Sequence, residues 1–156
     1  VGKISDIFGG RGITQSTRTV NNADGIEKML KIMDEDFEGL CFVNLVDFDM
    51  VYGHRNNIDG YAEALSYFDS KVPSITEKLR DEDILIITAD HGCDPGMTSS
   101  TDHSREHTPM VIYGKAVKPG VDLKTRSFFG DIGKTVLEYL GIENEIKGNS
   151  FLREVL

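Results

Sequence analysis

Four histidines, His54, His91, His103 and His107, lie close together along the chain, and each falls in a polar segment containing Gly or Asp. The segments read DMVYGH, TADHG and TDHSREH. A single such histidine reads as a surface or structural residue. Four of them flanked by carboxylates read as a metal site, because imidazole and carboxylate together form the ligand set of Mn²⁺ or Zn²⁺ rather than of Mg²⁺ or Ca²⁺. The candidate ligands are Asp49, His54, Asp90, His91 and His103. Asp90 and His91 are adjacent, so their side chains point apart and serve two neighbouring ions more readily than one. Two ions about 3.5–4 Å apart clamp the attacking and leaving oxygens of a phosphoryl transfer. Asp47 competes with Asp49 for the first position, and the Asp-Met context favours Asp49. His107 reads as a contact beside the site rather than a ligand. Arg105 carries a guanidinium suited to phosphate. Cys93 has no base partner in sequence and reads as a structural thiol.

These side chains need elements to bring them together. Ile26, Met29, Leu30 and Met33 recur at helical spacing, which predicts a helix from Asn22 to about Asp36 capped by Asn22 or Asp24. Leu40–Val46 (LCFVNLV) reads as a strand buried on both faces, and Ile84–Thr88 and Met110–Tyr113 read as two more. DFDMVYGHRNN is a loop. A long helix spans about Asp59 to Arg80, with a kink or break near Pro73. A last helix covers about 130–140, closed by Gly141 as its C-cap glycine. Gly9, Gly10 and Gly12 around Arg11 read as a tight turn, since no GxxxxGK[ST] pattern is present. Strands alternating with helices predict an α/β fold, a mainly parallel sheet with helices on both faces. Such a sheet gathers the loops at its strands' carboxyl ends on one rim, where ligands bind.

The chain has 156 residues, and 17 Lys plus Arg against 26 Asp plus Glu leave a net charge of −9. That balance argues against a nucleic-acid partner, which needs a basic face. It would also repel a phosphate ester unless bound cations reversed the local field. Nothing in the sequence has the length and apolarity of a membrane span or the form of a signal peptide. The two cysteines, Cys41 and Cys93, fit a cytoplasmic location, with Cys41 a small buried hydrophobe.

DMVYGH, TADHGCDP and TDHSREHTP together resemble the metal-binding core of the alkaline phosphatase superfamily, and in detail that of the phosphopentomutases. The opening VGKISDIFGGRGIT is similar to the segment by which phosphopentomutases return from their cap domain to the core. The resemblance covers essentially the whole chain. It implies an isomerase that interconverts ribose or deoxyribose 1-phosphate and 5-phosphate, using two Mn²⁺ ions and a phosphorylated enzyme Thr. It assigns Asp90 and His91 to one ion, and Asp49, His54 and His103 to the other. It also implies that residues 1–156 are the C-terminal portion of an alkaline-phosphatase-like core. The N-terminal core segment, the nucleophilic Thr and the cap domain then lie outside this chain, and the chain alone has no mutase activity. A truncated sheet would leave an apolar face open to self-association. Two readings compete. One is another enzyme on the same core, such as a cofactor-independent phosphoglycerate mutase or a phosphatase. The other is a non-catalytic α/β module that holds metal for stability.

Overall fold

The computed structural model describes all residues from Val1 to Leu156. In chain order the elements are α1 (Ile4–Ile7), α2 (Asn22–Ile32), α3 (Ile58–Glu77), β1 (Leu85–Thr88), β2 (Met110–Tyr113), α4 (Gly130–Tyr139) and α5 (Leu152–Val155). Two compact units emerge. The first comprises Val1–Leu79 and Leu85–Val111; the second comprises Arg80–Ile84 and Ile112–Leu156.

In the first unit, α2 and α3 bury Ile26, Met29 and Ile75 against one another. Leu30, Met33, Val43, Leu45, Phe68 and Leu85 close over this cluster, which is the apolar stripe expected from the spacing of α2. The cap of α2 falls one residue earlier than expected. Asn21 takes an extended backbone, and its side-chain oxygen accepts from Asp24 N at 2.8 Å. Asn22 has a different task. Its backbone N–H donates to Asp47 Oδ2 at 2.7 Å, and its own Oδ1 accepts from Asp47 N at 3.0 Å. Pro73 lies inside α3, and the helix runs on through it to Glu77. Asn57 caps the start of α3, accepting from Gly60 N at 2.9 Å.

The mainly parallel sheet is not what this chain forms. Its sheet has two strands, β1 and β2. The pairing is antiparallel, continued by an isolated antiparallel bridge between Gly92 and Ser104. Leu40–Val46 is not a regular strand and is not buried on both faces; Leu40 and Phe42 are exposed. The physical reason lies in the ladder. A strand exists only by pairing, and the backbone bonds of this segment go to Val1, whose amino group donates to Phe42 O and whose carbonyl accepts from Asn44 N. The loop expected at DFDMVYGHRNN is ordered as a π turn, Phe48–Tyr52, that runs directly into a 3-10 turn, Gly53–Arg55.

The second unit is held by its C-terminal tail. Phe151 and Val155 are buried, and Thr135 Oγ1 accepts from Phe151 N at 3.0 Å. Asp131, almost fully buried, accepts from Asn149 N at 2.8 Å and from Arg126 Nε at 2.8 Å. Gly141 follows α4 with φ +66°, the left-handed geometry of the expected C-cap. No helix of the structure is long and apolar enough to cross a membrane.

Candidate metal centre

The π turn after Val46 carries Asp49, and the 3-10 turn that follows carries His54. A π turn widens the helix by one residue per ring, and such turns are frequent at functional sites. Phe48 seats this segment on α3, its ring 5.6 Å from that of Tyr61. Asp90 and His91 follow β1. His103 enters on the return segment that pairs Ser104 with Gly92. The rim is therefore assembled by an antiparallel return rather than by parallel strand ends.

Two glycines let these segments approach. A Cβ on Gly53 would lie 2.6 Å from Cys93 Sγ, and a Cβ on Gly92 would lie 2.7 Å from Glu106 O. Neither separation is compatible with a side chain. The DMVYGH glycine thus admits the Cys93 thiol beside Asp49. Burial, then the negative charges of Asp49, Asp94 and Glu106, push that thiol's pKa up. Cys93 is thereby kept protonated, as a structural thiol should be.

Asp49 is the centre of the arrangement. Its Oδ1 lies 3.3 Å from His54 Nε2, 3.4 Å from His103 Nε2 and 3.9 Å from His91 Nε2. That oxygen is shielded from solvent and makes no hydrogen bond. The other ends of two rings explain why. His54 Nδ1 faces Thr101 O at 2.5 Å, and His91 Nδ1 faces Gly92 O at 2.9 Å. A carbonyl only accepts, so each Nδ1 carries a proton, and in the uncharged form of either ring Nε2 is left as a lone pair facing Asp49. His103 stacks on His91 with ring centroids 3.6 Å apart and on the other side meets His54 at 5.0 Å. Acceptors crowding around one point without a donor are costly. A divalent cation is the group that would satisfy them, so the donor set fits a metal.

The ligand atoms of Asp49, His91 and His103 lie within 4.8 Å of one another, and so do those of His54, Asp102 and His103. All five expected residues are near one another: Asp49 Oδ1 is nearest His54 and His103, and His91 Nε2 lies within reach of both Asp90 and Asp49. His91 stands with Asp49 and His103. Asp90 sits at the rim, its side chain 85% exposed and its Oδ1 3.7 Å from His91 Nε2. Asp102 joins His54 and His103, and its only signal in the sequence is adjacency to His103 in TDH. Asp47 does not join either group of ligand atoms, and its Oδ2 accepts from the backbone N–H of Asn22. Arg105 and His107 are exposed, and neither joins the cluster.

A family model for the Metalloenzyme superfamily matches residues 3–144. The chain belongs to the Metalloenzyme superfamily. Among curated members, it is 60% identical to the phosphopentomutase of Lachnoclostridium phytofermentans and 58% identical to that of Acetivibrio thermocellus. Both matches cover the whole of this chain and 40% of the relative. It is 57% identical to the phosphopentomutase of Carboxydothermus hydrogenoformans, over 99% of this chain and 39% of the relative. The chain thus spans about 40% of the length of these superfamily relatives.

Proposed function

We propose that this chain is the C-terminal portion of the metal-binding core of a phosphopentomutase, an isomerase that moves a phosphoryl group between the 1- and 5-positions of ribose or deoxyribose. The activity rests on the identity to named phosphopentomutases along the whole chain. The metal site rests on one observation above all, the unpartnered Asp49 Oδ1 facing three imidazole nitrogens. Asp49, His54, Asp90, His91 and His103 are the proposed ligands of two Mn²⁺ ions. Such ions supply positive charge where phosphoryl oxygens must bind. The protein's own part is to hold the imidazoles in the correct tautomer and to keep competing donors away from Asp49. The nucleophile and the sugar-selecting residues are not assigned to this chain. In the complete protein, Leu40–Val46 would gain strand neighbours and the sheet would become mainly parallel, with helices on both faces. The apolar residues Leu40 and Phe42, exposed in this chain, support self-association through that face. A phosphopentose substrate and a cytoplasmic location complete the reading.

The test is an assay of the complete protein with ribose 1-phosphate. Ribose 5-phosphate should appear with Mn²⁺ and vanish on chelation. Turnover of 3-phosphoglycerate instead would favour the sister mutase. An ion-dependent melting temperature without turnover of any phosphosugar would leave a non-catalytic module.

A further inference from the structure

Asn56 lies outside the ligand set, yet its environment is unusual for an asparagine at the end of a short turn. It has φ +48° and ψ +37°, the left-handed region, directly after the 3-10 turn that carries His54. Its backbone N–H donates to Gly53 O at 3.0 Å. Its side-chain Nδ2 reaches across to the segment before His103, donating to Met97 O at 2.7 Å and to Ser100 O at 3.2 Å. The next carbonyl in that segment, Thr101 O, accepts from His54 Nδ1.

We infer that Asn56 is a positioning residue for the metal centre: it fixes the Met97–Thr101 segment so that Thr101 O sets the tautomer and ring orientation of His54. The inference rests on the metal-site reading above. The chemistry selects asparagine at this position. Among residues with a Cβ, Asn and Asp tolerate the left-handed region best. A carboxamide carries two N–H donors, one for each of the two carbonyls, whereas a carboxylate would meet both with repulsion. With Thr101 O in place, the proton stays on Nδ1 and the Nε2 lone pair faces Asp49. With the segment released, the ring loses the acceptor that holds its proton on Nδ1 and its Nε2 toward Asp49, and His54 binds an ion less well. Groups that orient a ligand from behind in this way are worth about 10–100-fold in metal affinity.

The test uses the protein, Asn56→Gly and Asn56→Asp. Glycine keeps the left-handed backbone and removes both donors. Aspartate keeps the shape and removes both donors, so it stands in if the glycine variant folds poorly. Two quantities are measured. Long-range ¹H–¹⁵N NMR at about pH 8.5, where imidazoles are ordinarily neutral, reads the His54 tautomer in chelator-treated protein. Titration with Mn²⁺ reads affinity. The expected result is a single Nδ1–H tautomer in the parent, a mixed or reversed tautomer in the variants, and affinity lower by about tenfold or more. An unchanged tautomer overturns the inference. So does a changed tautomer with affinity within twofold of the parent. If the parent itself shows no saturable Mn²⁺ binding, the metal-site reading fails and this inference falls with it. That outcome is distinct from a parent that binds and variants that bind equally well.

Discussion

Asp49→Asn should stabilise the protein in chelator and lose most or all of that advantage when a divalent ion is present. In chelator-treated protein, Asp49 Oδ1 is an orphaned acceptor facing Nε2 atoms at 3.3 and 3.4 Å, with a third at 3.9 Å. An unsatisfied buried polar atom costs about 1–3 kcal/mol. Asparagine can place its NH₂ where Oδ1 stood and donate to those lone pairs. The metal-free variant should therefore be more stable than the parent by about 1–3 kcal/mol. At roughly 2–4 °C per kcal/mol for a chain of this size, Tm should rise by about 2–12 °C. With Mn²⁺ at about a hundred times the parent's Kd, the parent gains about 2.7 kcal/mol. A variant binding about 100-fold more weakly gains about 0.4 kcal/mol at the same concentration. The Tm difference should thus shrink or reverse as ion is added. Differential scanning calorimetry of both proteins, with chelator and then along an Mn²⁺ series, reads the effect directly. If Asp49→Asn melts below the parent in chelator, the carboxylate is already satisfied and the argument for a cation at this point is wrong.

Two further outcomes concern the frame around the site. Asp131→Ala removes the buried carboxylate that accepts from Asn149 N and Arg126 Nε, and should cost about 1.5–3 kcal/mol at neutral pH, measured by urea titration. The Asn149 N–H, then Arg126, hold the Asp131 carboxyl below the usual carboxylate range against the opposing effect of burial. The native state therefore binds this proton less readily than the unfolded chain does. Its contribution is complete above the ordinary aspartate pKa and fades as pH falls through the depressed native value, so the gap between parent and variant should narrow in acid; a gap that widens would contradict the assignment. Gly53→Ala should cost about 1–3 kcal/mol, because the added methyl overlaps Cys93 Sγ. Pairing it with Cys93→Ala should recover most of that loss in a double-mutant cycle, and simple additivity would show that the thiol is not the obstacle.

The local elements were legible because each is written in a short window. The stripe of Ile26, Met29, Leu30 and Met33 specifies α2, and Gly141 marks the end of α4 where its left-handed geometry requires glycine. The clustering of Asp49, His54, His91 and His103 was legible for a different reason: their types restrict them to few roles. Sheet direction was not legible. Whether β1 and β2 run parallel depends on the path between them, and the Gly92–Ser104 bridge turns that path back at once. The strand expected at Leu40–Val46 failed because apolar content is only half of what a strand needs; the other half is a neighbour to pair with. The stacking of His91 on His103 is a contact with no signature in sequence. Asn56 was invisible for the same reason, since its two acceptors lie more than forty residues away.

The reciprocal clasp between Asn22 and Asp47 does more than separate two aspartates that look alike in sequence. It joins the first turn of α2 to the residue from which the Asp49 turn begins, so neither can open without breaking both bonds of the clasp. The two segments should therefore exchange their amide protons together, which native-state hydrogen exchange would read. An ion seated at Asp49 should slow hydrogen exchange in the first turn of α2, twenty-five residues back along the chain. That helix, which touches no ligand atom, becomes a reporter of whether the site is filled.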